Sequence, residues 1–194
     1  MNHYILWLCC YLLGSLPTGV LIARARNIDL RKHGSGNIGA TNAARVLGKK
    51  AGILTLLGDF TKGLLAVYFA DALFNNANVT ALAGLSAFLG HLFSVFLKFK
   101  GGKGVATGLG IFMYLMPIPT LLAVVIFAMA LKISTYVSVG SIVSSLCVPI
   151  IAILLKSPGP YINISIAVVV LIIYKHKENI RRILAGEEKS FIKK

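Results

Sequence analysis

GVATGLGIFMYLMPIPTLLAVVIFAMAL, residues 104–131, contains no formally charged side chain. A helix rises about 1.5 Å per residue, so this stretch is long for one crossing of a hydrocarbon core of about 30 Å and short for two. Whether it crosses once or twice decides which side of a membrane holds everything that follows. Pro117 and Pro119 lie near its middle, where each removes a helical hydrogen bond and favours a turn.

The rest of the chain has the same character. Of 194 residues, 57% are hydrophobic and 13% charged, with mean hydropathy +0.81. A soluble domain of this length does not need so much apolar surface. Further charge-free stretches cover residues 4–23, 72–97, 133–155 and 157–174, and residues 51–71 form another span interrupted by Asp59 and Lys62. The N-terminal stretch imitates a secretory signal, but its basic residues follow the apolar run instead of preceding it, so it reads as a retained first helix. Cys9, Cys10 and Cys147 sit inside apolar spans without metal-ligand spacing and read as packing residues.

Charge placement resolves residues 104–131. The net charge of +14 is not arranged as a nucleic-acid face: seven Lys/Arg fall within residues 24–50, three within 98–103 and seven within 175–194. Basic residues concentrate in cytoplasmic loops. With residues 24–50 inside, the N-terminus and the base-free segment 75–78 lie outside, and residues 98–103 return to the cytoplasm. One crossing by residues 104–131 would strand Lys132 and the basic tail outside. Two crossings, with a short helix over 105–116 and an external turn at the prolines, leave eighteen Lys/Arg inside and Lys156 outside. The expected fold is all-α: a polytopic bundle of seven transmembrane helices forming one integral-membrane domain over residues 1–194, N-terminus outside and C-terminus cytoplasmic.

That topology gathers four polar segments at the cytoplasmic face: residues 33–45, 98–104, 134–145 and 175–189. In the first, Gly34, Ser35, Gly36, Asn37, Gly39, Thr41 and Asn42 precede Arg45. Successive N–H groups in such a segment can form a concave nest for an oxyanion, with a helix N-terminus aimed at the same point. In the second, Gly101, Gly102 and Gly104 surround Lys103, a mobile point charge suited to phosphate; the glycines also fit helix packing through Gly104 and Gly108. His176, Glu178, Asn179, Arg181 and Arg182 open the tail, either as a polar site or as a solvated basic helix. Ser138 and Ser141 occupy adjacent turns and either touch substrate or bond backbone. Asp59 and Lys62, one turn apart in a span, are expected to pair. His91 reads as a packing histidine.

Several familiar chemistries are excluded. Gly34-x-Gly36-x-x-Gly39 matches the dinucleotide fingerprint, but no strand precedes it and Asp59 lies in a hydrophobic span. No GxxxxGK[ST], HExxH or GxSxG motif occurs, acidic residues are scarce, and no His has Asp five positions on. A phosphate-ester transporter would share the basic residues and broken helices, yet such sites usually lie near the midplane between repeats, and no repeat is evident. A scaffold for other lipid enzymes would not need the glycine loop.

Residues 14–19 (GSLPTG), 33–45, Gly90-His91 with 101–104, and 176–187 together resemble the bacterial acyl-phosphate:glycerol-3-phosphate acyltransferase family, PlsY, in order along nearly the whole chain. The resemblance implies an enzyme of the bacterial cytoplasmic membrane that moves a fatty acyl group from acyl phosphate to the 1-hydroxyl of sn-glycerol 3-phosphate, without a metal or cofactor. It implies an acyl-phosphate site at Gly34, Ser35, Gly36, Asn37, Gly39, Thr41 and Asn42. It implies a glycerol 3-phosphate site at Arg45, Gly102, Lys103, Ser141, His176, Asn179 and Glu187. Ser35, Arg45, Lys103, His176 and Asn179 are the implied catalytic residues. The implied partners are the two substrates and the bilayer, with functional coupling to the enzyme that makes acyl phosphate and no nucleic acid.

Overall fold

A computed structural model describes residues 2–191. Every regular element among them is helical. Lys193 and Lys194 of the expected basic tail lie outside the described residues. The chain divides into two compact units, residues 1–114 and 115–194.

The first unit holds α1 (His3–Ser15), α2 (Thr18–Arg24), α3 (Ala40–Leu47), α4 (Lys49–Phe74), α5 (Ala77–Leu92) and nearly all of α6 (Val105–Leu115), with 3-10 turns at Leu30–Lys32 and Val95–Leu97. Helix α5 packs on α1 and α4, and α3 packs on α4. Glycines bring these backbones into contact. A Cβ on Gly14 would strike the Ala87 carbonyl, and one on Gly90 would strike that of Tyr11, so α1 and α5 meet at small residues, as membrane helices do. Side-chain placement along α4 is inside-out relative to a soluble helix. Its outer positions are Ile53, Leu54, Leu57, Phe69 and Leu73, whereas Gly52, Thr55, Asp59, Lys62 and Gly63 are buried. An apolar exterior over a polar interior is the arrangement a bilayer favours.

Asn75 and Asn76 make the turn between α4 and α5. Asn75 takes the left-handed conformation that asparagine tolerates (φ 44°), and the Asn76 side chain accepts the N–H groups of Asn78 and Val79.

The second unit is a run of α7 (Pro117–Ser134), α8 (Val137–Leu154), α9 (Gly159–Lys175) and α10 (Lys177–Leu184), each packed on the next. Prolines open α7 and α9, where a missing N–H costs nothing.

Residues 104–131 do break at the prolines: α6 ends at Leu115, Met116 leaves the helical region at φ −145°, ψ 70°, and α7 starts at Pro117. The stretch 4–23, expected as one helix, is instead two, bent by 41° at Leu16–Pro17. Proline disfavours helical backbone at the residue before it, and Leu16 adopts φ −58°, ψ 117°. The break exposes carbonyls that the interior satisfies: Lys62 donates to Leu16 O at 2.8 Å and the Ser94 hydroxyl to Ser15 O at 2.6 Å. Among the described residues, four helices are long and apolar enough to cross a bilayer, or up to six spans if each bent pair (α1 with α2, α9 with α10) counts as one. Helix α6, at 11 residues, is shorter than a full span. The chain is a multi-pass membrane protein.

Candidate active site

The loop before α3 is organised by one side chain. Asn42 is 1% exposed. Its amide nitrogen donates to the carbonyls of Asn37 (2.8 Å), His33 (3.1 Å) and Leu30 (3.2 Å), and its oxygen accepts the Ser35 N–H at 2.8 Å. Gly34 and Gly36 turn the chain at φ 66° and 72°, and the Gly36 N–H closes onto His33 O at 3.1 Å. Two of the N–H groups expected to form a nest, those of Ser35 and Gly36, are thus used inside the loop. Asn42, expected to touch phosphate, directs its donors to loop carbonyls.

The loop leads into the N-terminus of α3, which has no side-chain cap. The N–H groups of Gly39, Ala40 and Thr41 have no partner among the described residues, as at any helix start. Ser35 is exposed and Asn37 and Thr41 half-buried beside them. Arg45, one turn beyond Thr41, is exposed and forms no ion pair among the described residues. Hydroxyl, amide, helix N-terminus and guanidinium here are all groups that stabilise an oxyanion.

Gly101 and Gly102 are anchored through their backbone N–H groups. The Gly101 N–H donates to Leu92 O at 3.2 Å and the Gly102 N–H to His91 O at 3.1 Å, so the segment is tied to the end of α5. Gly104 turns at φ 83° against Phe88 and Leu92, and a side chain there would strike both. Lys103 is half-buried. Asp59 and Lys62 pair at 2.8 Å, as their spacing suggested.

In the second unit the tail folds back on α8 and α10. Glu188 is the centre. Its Oε1 accepts from Asn179 Nδ2 at 2.6 Å and from the Ser138 hydroxyl at 2.8 Å, and its Oε2 accepts from Arg182 Nε at 2.8 Å. Burial pushes the Glu188 carboxyl up, but the hydrogen bonds from Asn179, Arg182 and Ser138, with the Arg182 charge, outweigh burial and hold it below the usual glutamate range. Glu187, expected at the site, is exposed, and its N–H donates to Arg182 O. Sequence reasoning missed Glu188; adjacent glutamates after a glycine gave no sign of which one turns inward. Ser141 is buried on α8 one turn beyond Ser138. His176 is 3% exposed, and its Nδ1 lies 2.8 Å from Ile172 O. A carbonyl only accepts, so Nδ1 is the donor in this contact. No three of His, Cys, Asp and Glu gather into a metal-binding group among the described residues.

Residues 4–186 match the family profile of glycerol-3-phosphate acyltransferase. The chain belongs to that family. The glycerol-3-phosphate acyltransferase of Geotalea daltonii is 47% identical over 190 residues, covering 98% of both chains, and that of Geobacter metallireducens is 49% identical over 181 residues, 93% of both. Among solved structures, PlsY (YgiH), an integral membrane glycerol 3-phosphate acyltransferase, is similar in its glycerol 3-phosphate form with TM-score 0.95 and 39% identity, covering 98% of this chain and 96% of that one. Its lysophosphatidic acid form is similar with TM-score 0.90 and 38% identity, covering 98% and 95%. The acyltransferase family match spans α1 to α10, taking in the Asn42 loop, Lys103 and His176 alike.

Proposed function

We propose that the chain, a glycerol-3-phosphate acyltransferase by family, takes its acyl group from acyl phosphate. The acceptor is the 1-hydroxyl of sn-glycerol 3-phosphate, and the products are 1-acyl-glycerol 3-phosphate (lysophosphatidic acid) and phosphate. This is the first acylation of phospholipid synthesis. The observation that supports the proposal is the Asn42-organised loop leading into the uncapped N-terminus of α3, set in a membrane protein.

The donor phosphate rests at Gly34, Ser35, Gly36, Asn37, Gly39 and Thr41, where the α3 N-terminus and the Ser35 and Thr41 hydroxyls stabilise charge on the leaving group. Asn42 acts through the loop. Arg45, Lys103 and Gly102 hold the phosphate of glycerol 3-phosphate. Ser141, His176, Asn179 and Glu187 orient its glycerol, and Glu188 positions Asn179. The 1-hydroxyl oxygen attacks the acyl carbonyl carbon, the carbon–oxygen bond to phosphate breaks, and phosphate departs with the bonding electrons. Acyl phosphate is already activated, so no acyl-enzyme or cofactor enters. The hydroxyl proton passes to His176 Nε2 or to the departing phosphate. Near-complete loss of turnover in His176→Ala assigns it to histidine, and retained turnover with raised KM assigns His176 to binding.

The proposed setting is the bacterial cytoplasmic membrane, crossed seven times with α6 as a short fourth span, N-terminus outside and the site at the cytoplasmic face. An enzyme that forms acyl phosphate supplies the donor. Purified protein given palmitoyl phosphate, palmitoyl-CoA or palmitoyl-acyl carrier protein with glycerol 3-phosphate tests the donor. Product from the phosphate alone is expected; product from either thioester and none from the phosphate would overturn the proposal.

A further inference from the structure

The interior of the first unit contains charge that the proposed chemistry does not use. Asp59, Lys62 and His91 are 3%, 5% and 4% exposed. Lys62 Nζ lies 2.8 Å from Asp59 Oδ1 and also donates to Leu16 O at the α1–α2 break. The Thr18 hydroxyl donates to the same Asp59 oxygen at 3.1 Å, and His91 Nδ1 stands 3.6 Å from it. The opposite edge of the imidazole faces the glycine loop. A Cβ on Gly102 would collide with His91 Nε2, and one on Gly101 with His91 O. The Gly102 N–H donates to that same carbonyl. A continuous path therefore runs from the Asp59 carboxylate through the His91 ring to the Gly102 backbone, and the next residue is Lys103.

Buried ion pairs rarely stabilise a fold better than apolar residues of equal volume, and charge inside membrane-spanning helices is costly. Packing α4 on α5 does not require one. What the carboxylate supplies is orientation: it faces one edge of the imidazole while the other edge bears on Gly102, where no larger residue fits.

We infer that Asp59 and His91 are positioning residues for the backbone at residues 101–103, fixing Lys103 for glycerol 3-phosphate. The assignment of Lys103 to that substrate rests on the function proposed above. Lys62 neutralises Asp59 and ties the same cluster to the α1–α2 break.

The test uses the full-length protein with His91→Phe, Asp59→Asn and the charge-neutral double variant Asp59→Leu/Lys62→Met. Three quantities are measured for each: melting temperature, KM for each substrate separately, and backbone amide exchange of residues 100–104. The double variant regains the stability lost in Asp59→Asn. All three variants raise KM for glycerol 3-phosphate about 10-fold, as expected when a binding group is slightly misplaced, with KM for acyl phosphate unchanged. All three also speed exchange at residues 100–104 relative to α3. Unchanged exchange there overturns the inference whether or not the protein turns over. A rise in both KM values that tracks the melting temperature also overturns it, leaving a purely structural cluster. If wild type forms no product, the proposed function fails, and the exchange measurement still decides the positioning role.

Discussion

The Asn42 side-chain oxygen accepts the Ser35 N–H at 2.8 Å, joining the first turn of α3 to the glycine loop seven residues earlier. The same amide binds three carbonyls, so Asn42 defines the loop's shape from inside. Replacing it strands buried polar groups at about 1–3 kcal/mol each. Asn42→Ala should lower the melting temperature and cut kcat at least 10-fold, with Asn42→Asp nearly as damaging because a carboxylate cannot donate to carbonyls. Phosphate release and thermal unfolding of the purified variants check this.

Gly34 sits at φ 66°, and a Cβ there would meet the Asn42 oxygen. Gly34→Ala combines a left-handed backbone cost of about 1 kcal/mol with that collision. It should behave like Asn42→Ala. Gly159→Ala, at a position with open space and no positive φ, should leave stability and turnover near wild type. Thermal melts of the two alanine variants provide the comparison.

Glu188 accepts from Asn179, Ser138 and Arg182, whereas Glu187 is exposed. Glu188→Gln should raise KM for glycerol 3-phosphate more than Glu187→Gln does. The pH dependence follows from a carboxyl held below its ordinary value in the folded state. Its stabilisation is complete above the usual glutamate pKa of about 4.3 and disappears as pH falls through the lower folded value. The melting-temperature difference between wild type and Glu188→Gln should therefore be constant from pH 6 to 8, on the order of the neutral plateau, and shrink below about pH 4. A difference that grew on acidification would contradict this placement.

The proposed seven-span topology is open to direct measurement. With Cys9, Cys10 and Cys147 replaced by alanine, Asn78→Cys should react with an impermeant maleimide from outside the cell, and a C-terminal fluorescent fusion should fold and fluoresce inside. A fusion that stays dark while the protein inserts would reverse the charge reading of residues 104–131.

What could be read in the sequence was what periodicity, proline and charge pairing control. Pro117 stops one helix and starts another without help from distant residues, and Asp59 with Lys62 meet because one helical turn separates them. The bend at Leu16–Pro17 was concealed by an apolar stretch of full span length, because the groups that satisfy its carbonyls, Lys62 and Ser94, lie far along the chain. The role of Asn42 was hidden for a related reason: an amide's donors serve a phosphate or a carbonyl equally well, and only the fold directs them. Beyond Gly186, which turns at φ 71°, helical phase is lost, so nothing local distinguished Glu188 from Glu187.

In the proposed reaction, phosphate leaves as the acyl group moves. Purified protein in lipid mesophase, given palmitoyl phosphate and glycerol 3-phosphate, should form lysophosphatidic acid and inorganic phosphate in equal amounts, with both lost in Lys103→Ala and Arg45→Ala. Phosphate released without lysophosphatidic acid, or no product from folded protein with donors of several acyl lengths, would contradict it.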